Sequence, residues 1–238
     1  MSKVIMEDSF FINNPVFLKY KRRFNWRLLR RESFIKKALI NERIIEIPFA
    51  IDALSKIPKG STVLDLGCME SVFPLFIAGL GYEVTGFDFR NYPYKVPHFK
   101  FIQGSILDLP FEKDSFDVVT CISTIEHVGI GFYNDPKAEV SADMVGMEEI
   151  RRVLKPKGLL ILTVPFGKFL VNNQQRIYDN KSLSKLIEGF LVDEIKFYKN
   201  VQVMDGNSYW EQIEQSKAEL LQYSSGTECV CVFSALKN

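Results

Sequence analysis

Between Thr62 and Asp88 the chain reads TVLDLGCMESVFPLFIAGLGYEVTGFD, a strand, a tight turn, a helix and a second strand that stops at an acid. Thr62 to Leu66 is short, β-rich and almost wholly apolar, the pattern of a parallel strand covered on both faces, and Gly67 follows at once. Glycine in that place accepts backbone angles that a Cβ resists. Val72, Phe73, Leu75, Phe76, Ala78 and Leu80 then supply an apolar helix closed by Gly79 and Gly81, and Tyr82 to Phe87 forms the second strand.

In a right-handed βαβ unit, the first turn and the carboxyl end of the second strand meet at the top of the sheet. A nucleoside resting there sets its ribose hydroxyls on the acid, and Asp88 follows Gly67 at the spacing of roughly 20 residues that such an acid keeps. A dinucleotide pyrophosphate needs several glycines for close approach, yet only Gly67 stands in this turn, with Cys68, Met69, Glu70 and Ser71 after it. NAD and FAD are disfavoured. A nucleoside without phosphate is favoured, and S-adenosylmethionine is the commonest cofactor of that kind.

Four ordered segments extend the pattern: VLDLGCMES, GYEVTGFDFR, FIQGSILDLPFEKDSFDVVTCISTIEHVG and EEIRRVLKPKGLLILTVPFG. Together they resemble the successive motifs of class I S-adenosylmethionine-dependent methyltransferases, of the type 11 kind, over roughly residues 45 to 235. In this chain Met69 stands where that family has its second glycine, and Ser105 where it has the acid beside adenine. The resemblance implies an α/β, doubly wound, Rossmann-like sheet of seven strands in the order 3-2-1-4-5-7-6. Strand 7 would be antiparallel, with helices on both faces. It also implies that Asp65, Gly67, Cys68 and Met69 hold the methionine part of the cofactor, Asp88 the ribose, and Ser105 with Ile106 the adenine, with Phe89 a further cofactor contact. Ser123 would complete the cofactor set.

The chain of 238 residues, 47% hydrophobic and 25% charged, has room for one α/β domain with a full core. Cys68, Cys121, Cys229 and Cys231 lack the spacing of a disulfide or metal framework. No apolar run reaches spanning length, and Met1 to Phe10 lacks a signal-peptide pattern, so a cytoplasmic protein is expected. Net charge is only +1, but Met1 to Ile45 holds 11 Lys and Arg against 4 Asp and Glu. We therefore divide the chain into a basic, aromatic N-terminal helical arm, residues 1–45, and a methyltransferase domain, residues 46–238. The arm is expected to pack on the domain, while contact with nucleic acid or an anionic membrane is the less favoured reading.

The carboxyl ends of the remaining strands supply the candidate chemistry. Phe116 to Ile122 reads as the fourth strand and delivers Ser123-Thr124-Ile125-Glu126-His127 to the crevice, where His127 is the candidate general base. One carboxylate and one imidazole make a poor metal site, so none is expected. Tyr133, in the loop after this strand, and Arg176 and Tyr178, after the fifth, are candidate substrate contacts. Asp179 is placed to cap a helix over Lys181 to Glu188, and Ser208 to Leu221 reads as a further helix with Trp210 and Ile213 on one face.

The reading that results is methyl transfer to a small polar acceptor, most simply an oxygen of a sugar or other metabolite. A catalytically silent nucleoside-binding scaffold and an RNA methyltransferase using the arm are the alternatives.

Overall fold

A computed structural model of the protein describes residues 41–69, 71–131, 141–202, 208–224 and 228–238. Helix α1 (Arg43–Ser55) leads into β1 (Thr62–Leu66), α2 (Phe73–Gly79), β2 (Glu83–Asp88), β3 (Phe99–Gln103) and β4 (Phe116–Ile122). A single 3-10 turn (Ile125–His127) precedes α3 (Ala142–Val153), β5 (Leu154–Pro165) and the short strands β6 (Leu170–Val171) and β7 (Arg176–Ile177). The remaining elements are α4 (Asn180–Leu186), β8 (Phe190–Gln202), β9 (Ser208–Ile213), α5 (Gln215–Ala218) and β10 (Cys229–Lys237). The N-terminal arm up to residue 40 and Tyr133 lie outside the described residues.

The main sheet runs β3-β2-β1-β4-β5-β10-β8-β9. Strands β3, β2, β1, β4 and β5 are parallel, whereas β10 inserts antiparallel between β5 and β8. Seven of these strands have the expected order. The eighth, β9, is a correction, because Ser208–Ile213 pairs antiparallel with β8 instead of forming a helix. The i,i+3 spacing of Trp210 and Ile213 suggested one helical face. As a strand the segment sends them to opposite faces of the sheet, Trp210 against one core and Ile213 against the other. Aromatic residues paired along an open sheet edge outweigh a weak capping signal.

Alternation along the central strands builds both cores. Val63, Val118 and Ile161 face α1 and α2, where they meet Phe49, Ala53 and Ile77. Their neighbours Leu64, Val119 and Leu160 face α3 and α4, where they meet Met147, Ile150, Leu183 and Leu186. Burial on both faces explains why the strands read as continuous apolar runs. Helix α4 starts at a reciprocal cap in which Asp179 accepts from the Ser182 amide at 2.8 Å and Ser182 Oγ accepts from the Asp179 amide at 2.9 Å.

Candidate functional site

The parallel strands end on one side of the sheet, and a crevice opens there. Gly67 has φ +72°, and its amide donates to the Phe87 carbonyl at 2.8 Å, which ties the β1 turn to the end of β2. A Cβ at Gly67 would lie 2.2 Å from Thr124 Oγ1, so both backbone angle and space require glycine. Asp88 is buried at the crevice wall. Its Oδ2 accepts from the Met69 amide at 3.0 Å, and its Oδ1 accepts from the Arg90 amide at 2.9 Å and from Arg90 Nε at 3.3 Å. Next to it the Gly104 amide donates to the Asp88 carbonyl at 3.0 Å, and Ser105 Oγ accepts from the Leu107 amide at 3.2 Å.

These groups line a cavity of about 170 Å³ with Phe87, Phe89, Ile106, Leu107, Ser123, Thr124, Val128, Arg43 and His127. Apolar walls with one orienting carboxylate suit a flat base and a ribose, and the turn at Gly67 brings backbone close to the cavity. With two lone pairs on each oxygen, Asp88 Oδ2, which holds the Met69 amide, retains acceptor capacity for a hydroxyl, while Oδ1 already takes both the Arg90 amide and Arg90 Nε. The site therefore fits a nucleoside such as that of S-adenosylmethionine.

Buried acids underlie the crevice. Glu46, on α1, is wholly inaccessible; its Oε1 accepts from Ser123 Oγ at 2.5 Å and Thr163 Oγ1 at 2.6 Å, while its Oε2 accepts from Arg43 Nη1 at 3.0 Å. Burial pushes its pKa up against the pull of Arg43 and the two hydroxyls. Ser123 has φ +43° and is pinned at both ends, since its amide donates to Thr163 Oγ1 at 2.9 Å. Asp65 is raised by burial to about 7 and accepts from Thr120 Oγ1 at 2.6 Å. Glu126 is raised by burial to about 8, and its Oε2 has no hydrogen-bond partner among the described residues.

His127 lies on the 3-10 turn, with Nδ1 2.6 Å from the Gln174 carbonyl and Nε2 3.7 Å from Glu126 Oε1. Gly67, Asp88, Phe89, Ser105, Ile106, Ser123 and His127 thus come together around one cavity. Met69 enters through its backbone bond to Asp88. Four other expected site residues lie outside the cavity lining. Asp65 and Cys68 are buried behind the turn, 2% and 1% exposed, where they support it without lining the cavity, and burial pushes the Cys68 thiol up. Arg176 and Tyr178, 3% and 1% exposed, are turned inward, with Arg176 Nη1 donating to the Val128 carbonyl at 2.7 Å and Tyr178 Oη donating to Asp143 at 2.9 Å. Arg176 thus serves the backbone that follows the 3-10 turn, and Tyr178 serves the first turn of α3.

Two contributors escaped the sequence reading. Arg90 was visible only as the basic residue two places after Asp88. Thr124, whose side chain occupies the space over Gly67, carried no signal, because it depends on the apposition of the β1 and β4 ends.

Residues 64–162 match the family model described as a methyltransferase domain. The demethylmenaquinone methyltransferase of Staphylococcus carnosus is 30% identical over 117 residues, covering 44% of this chain and 44% of that protein. The match thus spans less than half the length of this curated relative. A solved S-adenosylmethionine-dependent methyltransferase from Methanosarcina mazei superposes with a TM-score of 0.54 at 18% identity, covering 78% of this chain and 96% of that one. The 1,6-didemethyltoxoflavin N1-methyltransferase of Burkholderia thailandensis, solved with S-adenosylhomocysteine, gives 0.55 at 14% identity and covers 94% and 86%. Residues 64–162 are thus similar to a methyltransferase domain, and the chain shares the fold of these solved methyltransferases.

Proposed function

We propose that the protein uses S-adenosylmethionine to methylate a small polar acceptor, with a hydroxyl oxygen of a sugar or similar metabolite as the acceptor. The observation that carries this reading is the Asp88 carboxylate, fixed by two backbone amides at the cavity wall beside a one-glycine turn. When bound, S-adenosylmethionine would supply an electrophilic methyl group on a sulfonium. Asp88 and Phe89 would hold the ribose, Ser105 and Ile106 the base, and the Gly67–Met69 backbone with Ser123 the amino-acid end.

His127 would take the acceptor proton. A carbonyl oxygen only accepts, so the Gln174 contact requires the hydrogen on Nδ1 and leaves Nε2 as the basic nitrogen of the neutral ring. Alignment of acceptor and donor would supply most of the acceleration, with the base assisting.

The test is a calorimetric titration with S-adenosylmethionine, S-adenosylhomocysteine and NAD, repeated on Asp88→Ala. The first two should bind and NAD should not, and the variant should lose about 1.5–3 kcal/mol of S-adenosylhomocysteine affinity, the range for hydrogen bonds to a charged group. Silence of the native protein towards all three, or unchanged affinity in the variant, would sink the proposal. Binding without transfer to any of a panel of hydroxylated metabolites would favour the silent scaffold.

A further inference from the structure

We infer that the β6–β7 hairpin is a positioning device for His127, with Arg176 as its buried anchor and the Asn172–Gln175 turn as the part that sets the imidazole's tautomer. The inference rests on the proposed role of His127 in proton removal, but it concerns residues for which that role alone assigns nothing.

The same hairpin contacts the His127 ring and the backbone on either side of it. At its tip, Asn172 Oδ1 accepts from the Gln174 and Gln175 amides, both at 2.8 Å, and the Asn172 amide donates to the Gln175 carbonyl at 3.1 Å. This closed turn directs the Gln174 carbonyl to His127 Nδ1 at 2.6 Å. Directly after the turn, Arg176 Nη1 donates to the carbonyls on either side of the histidine, Val128 at 2.7 Å and Glu126 at 3.4 Å. Arg176 Nε lies 3.6 Å from Asp143 Oδ1, and Tyr178 Oη donates to the other oxygen of Asp143 at 2.9 Å.

Burying a guanidinium is expensive unless its charge and donors are met, so an arginine placed here is held to one geometry. A flexible lysine has no planar fork with which to span two carbonyls and a carboxylate. The backbone of residues 126–128 is thus fixed from below while the ring is fixed from the side. An ordinary packing role would need neither the bracketing of His127 by one guanidinium nor the carbonyl on Nδ1. Nε2 is then the only ring nitrogen that can receive a proton.

The experiment reads the ring directly. The chain has two histidines, so long-range proton–nitrogen NMR spectra separate His127 from His98, whose exposed pairing with Glu83 makes it an internal reference. The free native protein should show His127 as the Nδ1–H tautomer. Asn172→Ala, and independently Arg176→Lys, should reduce that population at least about twofold while the His98 signals stay unchanged and S-adenosylhomocysteine dissociation constants move by less than about threefold.

Asn172 is at the outer turn, so Asn172→Ala decides the matter alone should Arg176→Lys fail to fold. A native Nε2–H tautomer, or an Nδ1–H population unaltered in folded Asn172→Ala, would overturn the inference. Because the tautomer is read on the free protein, failure of cofactor binding would strike the proposed function and not this assignment.

Discussion

The backbone amide of Met69 donates to the Asp88 carboxylate at 3.0 Å, so the residue standing at the second glycine position helps to orient the acid proposed to hold the ribose. The bond uses main-chain atoms and is open to any residue except proline. Met69→Gly should therefore retain it and alter S-adenosylhomocysteine affinity by less than about tenfold, or 1.4 kcal/mol. Conversion of a non-binding native protein into a binder by this change would transfer the reading to a silent scaffold.

Gly67 is a sharper test of the site's geometry. Gly67→Ala should destabilise the protein by about 2–5 kcal/mol, combining roughly 1–2 for the left-handed backbone with about 1–3 for overpacking. Adding Thr124→Ala should restore only part of this, since it removes the atoms 2.2 and 2.3 Å away and leaves the Thr124 Cβ at 2.8 Å. Full recovery in chemical denaturation of the double variant, or no loss in the single one, would contradict the described turn.

Glu126 links stability to pH. Burial raises its carboxyl from the ordinary 4.5 to about 8, so between those values the folded protein keeps a proton that the unfolded chain has released. The folded state thus binds more protons than the unfolded state, and stability falls as pH rises through this window. Asp65, raised from 3.8 to about 7, adds to the same slope at lower pH. Glu126→Gln removes one contribution, so its melting temperature relative to the native protein should improve between pH 5.5 and pH 8.5. An offset equal at both pH values would show that Glu126 does not titrate as described.

The basic arm makes a separate prediction. Deleting Met1 to Ser33 should leave a folded protein that still binds S-adenosylhomocysteine, because α1 and the sheet begin after the deleted segment. Binding of the intact chain to RNA or to anionic vesicles should be weak and fall little with salt if the arm packs on the domain. Steeply salt-dependent binding that is lost on deletion would instead identify a polyanion surface.

The sequence by itself determined the parallel core and the place of the crevice, because both are written in local signals. Runs such as VVTCI and LLILTV declare strands buried on two faces, Gly67 declares the turn, and Asp88 lies at a fixed chain distance from it. Only the tertiary structure decided which polar residues look into the crevice and which look away. Arg176 and Tyr178 leave a strand end that points to the site, yet their side chains turn beneath it to hold residues 126–128 and Asp143. Glu46, separated by 77 residues from Ser123 and 117 from Thr163, finds both hydroxyls only once α1 lies across the ends of β4 and β5. Such contacts are non-local and their residue types are ordinary, so no period or spacing announces them. The same holds for β9, where an open edge on β8 converted a segment with helical spacing into a strand by offering it backbone partners.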